Sequence, residues 1–200
     1  MPRYSPSRRR LISLVVAGGL SPLVLAGCKG PDKFQGSDIS GTHIGRAMAM
    51  VDSTGTLRTL ADYKGKVLLV FFGYTHCPDV CPTSMAELAQ AMRLLKSDAQ
   101  KVQVIMITVD PARDTGAIMN TYVKAFDPHF VGLTGSPDQL LKTAQSFKTY
   151  YAKASGGTPE NYSMDHSSSF YIMDKTGEAR ILLNSNAPAK VVADDIRQLL

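Results

Sequence analysis

Cys77, Cys81 and His166 have the residue types and spacing for metal or disulfide chemistry. The cysteines stand four residues apart in H-C-P-D-V-C-P-T, each followed by a proline. Thiolates in such a loop can exchange disulfides or bind a soft ion, and a pair of them suits low-coordinate Cu(I) better than a hard cation. Residues i and i+4 of a helical turn face the same way, so both sulfurs can point at one ion. Room remains for a third ligand. The best candidate is His166 in M-D-H-S-S-S-F, with Asp165 available behind it. The other use of the pair is redox work, with Cys77 as the more exposed attacking thiol of a thiol–disulfide reductase. A purely structural bridge is disfavoured, because so short a closed loop adds little stability.

The elements around these residues follow from pattern. Residues 67–72 (V-L-L-V-F-F) read as a strand buried on both faces. Gly73 and Tyr74 end it. Thr83 or Ser84 is expected to cap the next helix, with Glu87 complementing its positive end. The thiols then sit near a helix N-terminus, which favours thiolate. Met85, Leu88, Met92 and Leu95 mark the inward stripe of that helix. Residues 102–109 read as a second buried strand. D-P-A-R-D-T makes a turn with Asp114 or Thr115 as a cap, and Ile118, Met119, Tyr122 and Phe126 mark another helix.

Residues 130–135 are short and extended, and Ser136 opens a helix with Leu140, Leu141, Ala144 and Phe147 inward. A polar excursion over residues 150–162 reads as a hairpin or a mobile loop. Residues 168–174 and 179–184 form a hairpin around K-T-G, and residues 187–200 close the chain as a helix. Upstream, residues 48–51 and 56–60 flank D-S-T-G, another hairpin signal. A βαβ half joined to a ββα half predicts an α/β, thioredoxin-like fold with an N-terminal hairpin and an inserted loop or hairpin.

The chain's ends differ in character. Residues 1–27 read as a lipoprotein-type signal peptide: S-R-R-R precedes a broken apolar run that ends in L-A-G-C, which makes Cys28 the lipidation site. The S-R-R-R-L start weakly resembles a twin-arginine signal as well as a general export signal. Residues 28–44 read as a flexible tether and residues 45–200 as the domain. The expected location is a bacterial membrane, with the domain in the periplasm or on the outer face. The formal net charge is +5, but Arg3, Arg8, Arg9 and Arg10 supply most of it. The near-neutral body argues against nucleic-acid binding.

Other residues have plainer readings. His76 neighbours Cys77 but should point away from it in extended backbone. His43 and His129 read as surface residues, Met164 as packing, and Arg113 with Asp114 as a local turn pair. Asp79 reads as a helix cap, a partner contact or a solvated side chain.

F-F-G-Y-T-H-C-P-D-V-C-P-T, together with V-D-P-A-R-D-T, L-T-G and D-H-S-S-S-F-Y, resembles the SCO/SenC family of copper-binding cytochrome c oxidase assembly proteins. The likeness runs from about Gly45 to the end. It implies one copper ion per chain, Cu(I) or Cu(II), held by Cys77, Cys81 and His166. It also implies a metallochaperone rather than a conventional enzyme. Its partner would be the CuA site of oxidase subunit II, served by copper transfer or by reduction of the CuA cysteines. An upstream periplasmic copper chaperone would be a further partner. The competing function is a periplasmic thiol–disulfide oxidoreductase using Cys77 and Cys81, which would form a disulfide bond in that role.

Overall fold

The structure, a computed structural model, describes Met1, residues 33–158 and residues 161–200. The segment read as an export signal, beyond Met1, and Cys28, read as the lipidation site, lie outside the described residues. In chain order the elements are β1 (Ser37–Asp38), β2 (Ala49–Val51), β3 (Leu57–Thr59), β4 (Val67–Gly73), α1 (Val80–Leu95), β5 (Val102–Thr108) and α2 (Gly116–Lys124). They continue with β6 (Val131–Leu133), α3 (Pro137–Phe147), β7 (Tyr151–Lys153), β8 (Met164–His166), β9 (Ser169–Met173), β10 (Ala179–Asn184) and α4 (Ala189–Arg197).

All seven residues of β4 are buried, as a continuous apolar run requires at the centre of a sheet covered on both faces. The sheet has six strands in the order β1-β10-β9-β4-β5-β6. β4 runs parallel to β5 and antiparallel to β9, so the βαβ and ββα halves meet at this strand. Phe71 packs edge-on against Phe170, with ring centroids 5.6 Å apart, and Phe72 does the same against Phe147 at 5.2 Å. The methionines on the helical and strand stripes, Met85, Met92, Met106, Met119 and Met173, are all buried. The expected thioredoxin-like architecture is the one observed.

Two local expectations change, and one left open is decided. Part of the segment read as a tether belongs to the fold, because β1 pairs with β10, Ser37 opposite Leu182. Just ahead of it, the buried Asp195 carboxylate accepts the N–H groups of Gln35 at 2.8 Å and Gly36 at 2.9 Å. A buried carboxylate needs such donors, and these two backbone groups supply them. The fold therefore begins upstream of Gly45. Leu141 faces out, 47% exposed, and Thr143 takes the inward place instead. Its hydroxyl accepts the Ala49 N–H at 3.3 Å and so ties α3 to β2. The excursion after residue 150 is a hairpin: β7 pairs with β8, placing Tyr151 opposite His166.

Candidate metal centre

The cysteine loop leaves β4 at its C-terminal end. α1 begins at Val80, ahead of Thr83 and Ser84, so neither of these is its cap. Asp79 occupies the N-cap position but makes no side-chain capping bond there. A sulfur serves the helix end instead: the Cys81 N–H points at Cys77 Sγ at 3.4 Å. One of the first-turn donors that a helix leaves unpaired is thus spent on the thiol. Cys77 lies in the loop and Cys81 in the first turn, so this contact brings them together, not a shared helical face. Ser84 donates to the Ser185 carbonyl at 3.0 Å, and Glu87 accepts the Ala189 N–H of α4 at 2.6 Å. Glu87 docks α4 against α1, and Ser84 ties α1 to the β10–α4 connection.

Both cysteines are free thiols. Cys77 is half-buried and Cys81 is fully buried. Gly73 makes room for the inner sulfur, since a Cβ there would lie 2.9 Å from Cys81 Sγ. Burial, reinforced by Cys77, pushes the Cys81 thiol far above its ordinary value. The expectation of a thiolate near the helix end therefore fails for Cys81, because desolvation outweighs the helix field. At neutral pH, iodoacetamide is expected to alkylate Cys77 well before Cys81. Peptide mapping of a time course checks this, and equal rates would contradict it.

His166 comes to the same spot from β8. Its Nε2 lies 3.8 Å from Cys81 Sγ, and its Nδ1 lies 3.1 Å from the Ser167 carbonyl oxygen. A carbonyl can only accept, so Nδ1 carries the proton and the Nε2 lone pair faces the sulfur. Burial lowers the His166 pKa and keeps the ring neutral near pH 7. Phe71 and Tyr74 stand edge-on to the imidazole, with centroids at 6.3 and 6.0 Å. Asp165 is exposed, so the Ser167 carbonyl, not this carboxylate, fixes the ring. Among the described residues, no three His, Cys, Asp or Glu side chains already converge as a metal site. The donors nevertheless suit a soft ion: two sulfurs joined through one backbone N–H, and an imidazole lone pair turned toward the inner one.

His76, His43 and His129 are exposed, as expected. Arg113 and Asp114 do not form a turn pair. Arg113 Nε bonds Asp110, whereas the fully buried Asp114 reaches the cysteine loop. Its carboxylate accepts the Thr75 hydroxyl at 2.5 Å, the Thr75 N–H at 3.0 Å and the Thr108 hydroxyl at 2.6 Å. Of the two predicted caps, Asp114 and Thr115, it is Thr115 that serves, accepting the Ile118 N–H. Sequence reasoning missed Asp114 as the anchor of the loop. Its one signal was a second carboxyl group in the D-P-A-R-D-T turn that follows a buried strand.

Fold and site together define a thioredoxin-like protein whose dithiol loop faces a histidine borne on an inserted hairpin. The SCO1/SenC family model matches residues 37–200, and the chain belongs to that family. It is 36% identical over 152 residues to bovine mitochondrial protein SCO2 homolog, covering 75% of this chain but 57% of that protein. It is 33% identical over 173 residues to the SCO2-like protein of Rickettsia felis, covering 84% of each. The copper-bound structure of Bradyrhizobium japonicum ScoI superposes with a TM-score of 0.70 at 40% identity, over 76% of this chain and 97% of that one.

Proposed function

We propose that this chain is a copper carrier that assists assembly of the CuA centre in cytochrome c oxidase subunit II. It holds one copper ion through Cys77, Cys81 and His166. The observation that carries this reading is the approach of the His166 Nε2 lone pair to within 3.8 Å of the buried Cys81 sulfur. The copper bound to ScoI, a relative at 40% identity, supports the choice of ion. Two thiolates and an imidazole make a three-coordinate set for Cu(I) that also serves Cu(II). The ion is cargo, to be handed on. Closing the set requires the β7–β8 hairpin and the cysteine loop to draw together, since the three donors do not already converge.

The export signal, lipidation at Cys28 and a periplasmic or outer-face location belong to the same proposal. The L-A-G-C motif supports them, as does the description of a Bacillus anthracis relative, 26% identical, as a lipoprotein. Among the described residues no helix is long and apolar enough to cross a membrane. An upstream periplasmic copper chaperone is the proposed donor, and the near-neutral body leaves no role for nucleic acid.

Titration of the reduced chain with Cu(I) and Cu(II) tests the reading. One tight ion per chain is expected, with thiolate-to-Cu(II) charge-transfer absorption. No specific binding would overturn it.

The half-buried free thiol of Cys77 favours a second reading, a thiol–disulfide reductase. Cys77 would attack a substrate disulfide and release one substrate thiol. Cys81 would then displace the second, leaving a Cys77–Cys81 disulfide and a substrate reduced by two electrons. This activity should survive His166→Ala, whereas copper binding should not.

A further inference from the structure

The two halves of the proposed site come from separate parts of the chain, and a continuous path of hydrogen bonds joins them. On the loop side, Thr75 donates to Asp114 through both its N–H and its hydroxyl. Thr108 donates to the same carboxylate, and its oxygen accepts the Asp110 N–H at 2.9 Å. Asp110 is itself 3% exposed. Its Oδ1 accepts the Tyr162 hydroxyl at 2.8 Å. Tyr162 lies four residues ahead of His166, on the approach to β8.

The Tyr162 ring is held as well as its hydroxyl. The Arg113 guanidinium lies 3.6 Å from the ring centroid and Lys153 Nζ lies 3.8 Å from it. Cations pressed on an aromatic face at this range are attracted by its quadrupole. Arg113 Nη2 is buried with no hydrogen-bond partner, so this guanidinium is placed by the ring and by Asp110. Lys153 belongs to β7, so the ring also ties that strand to the segment leading into β8. A two-stranded hairpin with three residues a side is not stable alone and needs such an anchor.

We propose that Tyr162 is a positioning residue: a latch that holds the His166 hairpin on the β5–α2 loop, and through Asp110, Thr108 and Asp114 in register with the cysteine loop. This rests on the copper reading for the identity of the ion. With the latch shut, the imidazole is presented to the thiols. With it released, the hairpin carries the imidazole away and leaves the dithiol alone.

The test compares the full chain with Tyr162→Phe, His166→Ala and the double variant. Phenylalanine keeps the stacked ring and removes only the bond to Asp110. Cu(I) affinity is read by competition with a chromophoric chelator. Amide exchange is read at Ala154 and Ser167, which bond across the hairpin, with the β4 amides as a check on the fold. Tyr162→Phe should lower copper affinity by about tenfold, as loss of a group that orients a ligand does. It should also speed exchange at Ala154 and Ser167 while leaving β4 protected. In the His166→Ala background it should lower affinity no further, because the latch acts through that imidazole.

Unchanged affinity and exchange in Tyr162→Phe would overturn the latch, as would an equal further loss in the double variant. If His166→Ala binds copper as tightly as the unaltered chain, the ligand reading falls instead. The exchange at Ala154 and Ser167 then decides the latch by itself.

Discussion

Replacing Cys77 and Cys81 together with serine is expected to abolish stoichiometric copper binding, while His166→Ala weakens it by more than about a hundredfold. The lower bound follows from magnitudes: groups that merely orient a metal ligand are worth about 10–100-fold in affinity, so a ligand itself should be worth more. The serine pair keeps the shape of the loop but replaces soft donors with hard ones, which Cu(I) discriminates against strongly. His166→Ala should leave a two-sulfur site. The thiolate-to-Cu(II) absorption would then persist in altered form, while the nitrogen contribution to the Cu(II) electron paramagnetic resonance signal disappears.

The pH dependence has a definite sign. Burial holds Cys81 as a thiol well above its ordinary value, and it must lose that proton to bind a metal. Copper affinity should therefore rise with pH, by about tenfold per unit for each proton released. The neutral His166 contributes no proton near pH 7. Its protonation should weaken binding only as the pH falls below the ordinary histidine range. Chelator competition from about pH 4.5 to about pH 9 reads both limbs. A flat profile would mean that Cys81 is not a ligand.

Asp114→Ala should cost about 3 kcal/mol of folding stability and loosen the cysteine loop. Each buried donor left without an acceptor costs about 1–3 kcal/mol, and this carboxylate serves three donors on Thr75 and Thr108. Asp114→Asn should cost about 1 kcal/mol. Its carbonyl oxygen can keep the Thr75 N–H, and a threonine hydroxyl can turn to accept from the amide. Urea unfolding measures both variants, and exchange of the Thr75 amide reports on the loop. If alanine and asparagine cost the same small amount, Asp114 does not anchor the loop.

The central strand, the α1 stripe and the cysteine pair were legible in the sequence because each is local. Six apolar residues in a row have few solutions other than a covered strand. A 3.6-residue stripe names its own buried face, although Leu141 shows how the edge of such a stripe can turn outward. Caps were harder to read. Thr115 and Ser136 behave as their side chains suggest, whereas α1 starts on a cysteine sulfur, which no propensity scale anticipates.

The thioredoxin-like order of elements, the dithiol loop and the identity of the candidate ligands were thus determined by the sequence alone, through periodicity, spacing and a motif. The protonation of those ligands and their positions were decided only by the tertiary structure. Cys81 is a thiol because folding removes it from water, and His166 presents Nε2 because the Ser167 carbonyl occupies Nδ1. Asp114 reaches Thr75 across 39 residues of chain, and Tyr162 reaches Asp110 across 52. Contacts at such separations leave no periodic trace in the sequence, since they depend on where the packed sheet delivers its loops.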